Sequence, residues 1–282
     1  MHRKICRKGA SISGALFALR TPLYVLVLAA AGAANAGATD CPASHIEEHA
    51  QVVYVYDGDT FKLKDGRRVR LIGINTPELG RNGSAAGPLA GEARDTLLQL
   101  LDTGHRRVQL QYGAEQHDRY GRLLAHAFLE TGENIAVRLL QQGLATTLVV
   151  PPNTWAQDCY QVHEDLARST NRGLWALADY RAQDALKLTA ETRGFRIVRG
   201  RVTEVRQSRH SVWVEIDGPL VVRIPVKDLV NFKAHNPEQL VGHSVEIRGW
   251  ISQDRDGLRL TARHPAALID ISHAADEGLR NP

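Results

Sequence analysis

Residues 51–78 read QVVYVYDGDTFKLKDGRRVRLIGINTPE. Val52, Val53, Tyr54, Val55 and Tyr56 are β-branched or aromatic, a strand run that Asp57-Gly58 turns. Phe61 to Leu63, the Asp65-Gly66 turn and Val69 to Ile74 continue as a meander of short strands. Beyond this stretch the period changes. Ala90, Ala93, Leu97 and Leu100/Leu101 recur at helical spacing, predicting a helix over 89–101. Val108 to Tyr112 and Leu123 to Leu129 return to strand, and Asn134 can cap a helix that stops near Gly143. Thr154 and Gln157 stand at capping-box spacing and open a further helix that ends around Gly173. Its expected apolar stripe is Trp155, Cys159, Val162 and Leu166.

Residues 179–193 read as a linker or a less apolar helix. Five short strands follow, at 197–205, 211–216, 220–224, 245–251 and 258–262, the last two joined by the turn Asp254 to Gly257. A short helical insertion at 228–232 falls between the third and fourth strands, which suggests an OB-type barrel. Two domains are expected, at 42–178 and 194–274, with a tail at 275–282. The chain length of 282 residues, 43% hydrophobic and 23% charged, suits that count and an ordinary globular composition.

Residues 1–36 read as a secretory signal peptide. Arg3, Lys4, Arg7 and Lys8 make a basic lead, Leu23 to Leu28 and the alanines an apolar run, and Ala34-Asn35-Ala36 a cleavage site. The expected location is secreted or periplasmic, without stable membrane association after cleavage. The signal segment also explains the net charge of +4, because residues 37–282 carry 30 basic against 31 acidic side chains. Overall charge therefore offers no argument for a nucleic-acid partner. Export implies an oxidising compartment, where the remaining cysteines, Cys41 and Cys159, are disulfide candidates. Two unpaired thiols are the alternative.

Four patterns in the first domain carry chemistry: Asp57-Gly58-Asp59-Thr60, Arg70 at the head of a strand, Asn75-Thr76-Pro77-Glu78, and Asp118-Arg119-Tyr120-Gly121-Arg122. Asp57 reads as a turn-maker. Asp59, the Asn75 side chain and a backbone carbonyl offer oxygens to a hard dication such as Ca²⁺. Two arginines can clamp the equatorial oxygens of a phosphoryl group, and Glu78 can orient or deprotonate a water.

In this order the patterns resemble the staphylococcal nuclease (thermonuclease) family, over residues 50–176 and including Gln142-Gly143-Leu144-Ala145 and Gly173-Leu174-Trp175. The resemblance implies an α+β fold, a five-stranded OB-type β-barrel with packed helices, here followed by a second small OB-like barrel. It implies Ca²⁺-dependent hydrolysis of DNA, RNA or both, leaving 3′-phosphates. Asp59 then matches a metal carboxylate, Asn75 a second metal position, and Thr76 a carbonyl facing the metal. Glu78 matches the water-activating glutamate, and Arg70 and Arg122 the phosphate arginines. Arg119 and Tyr120 match positions beside the nucleotide phosphate. Asn75 replaces an aspartate of the best-known member, which removes a charge, and residues 147–153 lack its base-side tyrosine. The alternative is a catalytically weak nucleic-acid-binding protein of the same fold. Either way the expected partner is nucleic acid and the expected state a monomer.

Two further patterns admit other readings. His45 and His49 make an H-x-x-E-H zinc-peptidase pattern, but on a segment too short for a catalytic helix. In the second domain, Arg193, Arg196, Arg199, Arg201, Arg206 and Arg209 with Trp213 and Trp250 suit either single-strand binding or a structural module.

Overall fold

The opening stretch folds as a curled hairpin and its continuation, in a computed structural model that describes residues 40–80, 85–254 and 257–272. β1 (Glu48–Asp57) pairs with β2 (Thr60–Leu63), and β2 with β3 (Arg68–Leu71). The single strand expected over 69–74 is broken: β4 (Gly73–Asn75) leaves the barrel to pair with a later strand. The break falls at Ile72, and Gly73, which opens β4, has φ +84°. A Cβ there would lie 2.5 Å from Cε2 of Tyr160. α1 (Ala90–Thr103) follows, burying Ala90, Ala93, Leu97 and Leu101 on one face. β5 (Arg107–His117) and β6 (Leu123–Leu129) complete a closed barrel in the order β1-β2-β3-β6-β5. β6 is buried along its whole length because it lies between the barrel interior and the helices. Phe61, Leu63, Val69, Leu71, Val108 and Leu110 fill the barrel.

α2 (Ile135–Gln141) is capped by Asn134, whose side chain accepts from the N–H groups of Ala136 and Val137. β7 (Thr146–Leu148) then pairs antiparallel with β4. α3 (Gln157–Ser169) differs from its expected start and face. It begins after Ala156, which is left-handed at φ 60°, with no side-chain cap from Thr154. The buried residues are Tyr160, His163, Glu164 and Ala167, while Val162 and Leu166 are 54% and 53% exposed. The polar residues can turn inward because partners meet them there: Arg248 and Thr147 reach Glu164, and Gln141 reaches His163. Cys41 and Cys159 form a disulfide that ties the start of the described chain to α3.

The segment read as linker or helix is a linker of short 3-10 turns around β8 (Ala182–Asp184), whose backbone pairs in parallel with the next strand instead of closing helical turns. That strand is β9 (Gly194–Gln207), followed by β10 (Ser211–Ile216) and β11 (Leu220–Pro225). The insertion is helical but 3-10, at Val226–Phe232. β12 (Ser244–Asp254), β13 (Gly257–Thr261) and β14 (Leu268–Asp270) complete the sheet. Pairing of β12 with β9 closes a second five-stranded barrel, β9-β10-β11-β13-β12. Both barrels share one strand order, and in each the third and fifth strands are parallel. The two pack on each other through ion pairs from Arg248 to Glu164 and Arg168 to Glu246, and through an aromatic series Trp175, Tyr180, Phe195 and Trp250. The expected signal peptide, the tail and residues 255–256 of the hairpin turn lie outside the described residues. His49 stands in β1 and His45 in the loop before it, so the H-x-x-E-H pair shares no helix.

Candidate active site

The β1–β2 turn carries Asp57 and Asp59 into the fold because Gly58 has no side chain. A Cβ at Gly58 would lie 2.7 Å from Cβ of Ala93 and 2.8 Å from Cγ2 of Thr76. This close approach lets Asp59 meet the chain after β4. Asp59 is 2% exposed. Its Oδ2 accepts from the Thr76 N–H at 2.8 Å and the Thr76 hydroxyl at 3.1 Å, and faces Arg70 Nη1 at 3.1 Å. Its Oδ1 accepts from the Thr60 hydroxyl at 3.1 Å. One carboxylate thus fixes both the β2 start and the Thr76 backbone.

Arg70 sits on β3 and turns its guanidinium along β4. Nη1 donates to the carbonyls of Leu71 and Ile74, and Nη2 to Asn75 Oδ1 at 3.0 Å. Asn75 in turn donates from Nδ2 to the Thr76 carbonyl at 2.9 Å. Asp59, Arg70, Asn75 and Thr76 therefore form one connected network.

Asp57 is more than the turn-maker expected of it. Its Oδ1 does accept from the Asp59 N–H at 3.1 Å, but the side chain is buried. Burial, with the charges of Asp59 and then Glu78 beside it, pushes its carboxyl up to about 6. Three acidic side chains gathered against a single bonded guanidinium are the donor set a hard dication neutralises. The Asn75 and Thr76 oxygens each keep a second lone pair beside the hydrogen bond they accept. The residues present therefore fit a bound Ca²⁺.

The remaining expected residues gather on the turn before β6. Asp118 Oδ1 accepts from the N–H groups of Tyr120 and Arg122, and Oδ2 accepts from Arg122 Nε at 2.6 Å. Burial works to raise the Asp118 carboxyl, but the Arg122 backbone N–H and guanidinium outweigh it and hold the group below the usual carboxylate range. Asp118 is thus a positioning residue that sequence reasoning quoted without a role; its place four residues before Arg122 was the available signal. Arg119 and Arg122 lie over the Tyr120 ring at 4.7 and 5.6 Å, and the ring is 69% exposed.

Arg70, Arg119, Tyr120 and Arg122 line one cleft of about 400 Å³. Glu78 is exposed and lines a neighbouring depression of about 320 Å³, together with Asn75 and Thr76. The Arg70–Asn75 hydrogen bond joins the two. Arg263, from the second barrel, also lines the arginine cleft, which no pattern in its own stretch of sequence announces.

A family profile described as staphylococcal nuclease homologue matches residues 68–177. The thermonuclease of Staphylococcus hyicus is 32% identical over 133 residues, covering 46% of this chain and 77% of that protein. The thermonuclease of Staphylococcus intermedius is 35% identical over 124 residues, covering 43% and 72%. Endonuclease YncB of Bacillus subtilis is 31% identical over 128 residues, and the match spans 44% of this chain and 60% of YncB.

Proposed function

Because the chain belongs to the staphylococcal nuclease family, we propose that it is an exported, Ca²⁺-dependent nuclease that hydrolyses phosphodiester bonds of DNA, RNA or both and leaves 3′-phosphates. The observation that carries the reading is the connected network of Asp59, Arg70, Asn75 and Thr76 beside the cleft that Arg122 lines. Asp59, the Thr76 carbonyl and the Asn75 side-chain oxygen are the proposed metal set, with Asp57 adding negative charge. When bound, the ion would supply charge neutralisation at the phosphoryl oxygens.

The chain's own groups do the rest. Glu78 takes or orients the proton of the attacking water. Arg70 and Arg122 meet the charge that builds on the equatorial oxygens, each aimed beforehand: Arg70 by Asn75 and the Ile74 carbonyl, Arg122 by Asp118. Such pre-aiming means little reorganisation accompanies the transition state. Arg119 and Tyr120 flank the nucleotide phosphate. The Cys41–Cys159 disulfide supports an oxidising destination.

The test incubates the purified protein with labelled DNA and RNA, with Ca²⁺ and with chelator, and reads the product ends by phosphatase sensitivity. Ca²⁺-dependent cleavage with removable 3′-phosphates is expected. Tight binding without cleavage would instead favour a nucleic-acid-binding protein of this fold.

A further inference from the structure

We infer that the second barrel supplies the far wall of the substrate groove, and that this groove holds a single-stranded segment of DNA or RNA with an unpaired base stacked on Trp250. The inference rests on the nuclease reading above and adds a substrate class and a subsite to it.

Three depressions adjoin. The cleft of Arg70 and Arg122 shares Leu148, Val150 and Arg263 with a groove of about 340 Å³ between the barrels. That groove shares Phe195 and Trp250 with the depression of about 320 Å³ that reaches Glu78 and Thr76. The three depressions thus share walls, from the arginine cleft past the second barrel to the depression of the proposed water-activating glutamate.

The lining of these depressions suits unpaired nucleotides. Trp250 is 44% exposed although it is the largest apolar side chain type. Its ring is held edge-on by Phe195 at 5.2 Å, and Phe195 stacks on Tyr180 at 5.5 Å. The inner members of this aromatic series brace the outermost one, which reduces the ordering cost when a base stacks on it. Leu148 and Val150 add an apolar wall. Arg196 lines the depression beside Trp250, with Asp179 3.8 Å from it, and Arg263, paired with Asp228 at 3.0 Å, stands at the other end, so each end of the aromatic surface carries a guanidinium with donors beyond its ion pair. Guanidiniums flanking an exposed aromatic face suit a phosphate-linked strand of bases. A duplex keeps its base faces inside its own stack and cannot use Trp250, so the fitting occupant is single-stranded. The alternative occupant, a protein segment, would not need the depressions to begin at the phosphate arginines.

The test titrates fluorescein-labelled oligothymidylate, as a trinucleotide and as a dodecamer, into full-length Glu78→Gln protein with Ca²⁺ present. The dodecamer should bind more tightly than the trinucleotide. Adding Trp250→Ala should weaken dodecamer binding by about tenfold, the scale of one lost base stack, and remove most of that length dependence. Trp250→Phe should restore a good part of it, which a merely structural role of the side chain would not predict. Equal affinities for the two lengths, or dodecamer affinity unchanged by Trp250→Ala, would overturn the inference. A dodecamer duplex binding as tightly as the single strand would also overturn it. Cleavage by the unsubstituted protein is measured alongside. Cleavage with length-independent binding removes the groove alone, whereas no cleavage of any strand removes the nuclease reading and this inference with it.

Discussion

Arg248 and Glu164 make a buried ion pair between the barrels, and breaking it one side at a time should be costly. The Arg248 side chain is 5% exposed and that of Glu164 is 0%, with Nη2 to Oε1 at 2.5 Å. Arg248→Met leaves the buried carboxylate with its cation gone, a loss of about 3–5 kcal/mol. Glu164→Leu strands the guanidinium instead and should cost a similar amount. The double substitution removes both charges and also relieves the nitrogen of Arg248 that already lacks a partner. It should return most of the way to the parent. The shortfall should be about 1–2 kcal/mol, because Thr147 loses the acceptor that its hydroxyl meets at 2.5 Å. Thr147 pairs with Ile74, whose carbonyl holds Arg70 at 3.1 Å, so the single variants should lose activity along with stability. The assay is urea unfolding of the four proteins with the disulfide intact, read by tryptophan fluorescence and far-UV circular dichroism. Single variants within about 0.5 kcal/mol of the parent, the range of an ordinary surface change, would refute the reasoning.

The Cys41–Cys159 bond closes a loop with a sequence separation of 118, for which the chain-entropy account gives about 5 kcal/mol. Paired Cys41→Ser and Cys159→Ser should therefore melt far lower, and a melting temperature unchanged by the pair would contradict this. Burial pushes His126 down to about 3 from an ordinary value of 6.5, so the folded state holds fewer protons than the unfolded state between those values. Its contribution is fully present above the unfolded pKa and is lost as pH falls, about 2 kcal/mol by about pH 5. His126→Phe should flatten the stability curve over that window, and an unaltered acid limb would contradict the assignment. Asn75→Asp adds a charge beside Asp59 and should lower the Ca²⁺ concentration needed for half-maximal cleavage. An unchanged calcium titration would take Asn75 out of the metal set.

What the sequence made legible was local or ordered. Asn134 announced a cap and performs it, five short strands with a helical insertion announced the second barrel, and the family resemblance implied the first. Asp59, Arg70 and Thr76 were legible because their motifs fall in a fixed order, and the structure joins them by hydrogen bonds. The face of α3 was not legible. Its apolar stripe pointed to Val162 and Leu166, but the burial of Glu164 depends on an arginine 84 residues away. The strand expected over 69–74 was broken for a similar reason, since β4 takes a partner, Thr146–Leu148, that lies beyond two helices. Trp250 read as either a base platform or a structural residue and Arg263 carried no signal, because their place beside the first barrel's clefts arises only when the two barrels pack together. Asp57 makes the turn it was read as making, but its burial was not legible because a turn aspartate is usually solvated and the close approach at Gly58 is a tertiary contact.

The most direct test of the account is the single-turnover cleavage rate of Arg122→Ala beside the parent protein, in saturating Ca²⁺ and with excess enzyme over a labelled strand. On the proposed reading Asp118 aims Arg122 at the additional charge that builds on the phosphoryl oxygens in the transition state, so a folded variant should bind substrate and cut it about 10²–10³-fold more slowly. A variant with the parent's melting temperature and a rate near the parent's would contradict the claim that this cleft performs the chemistry.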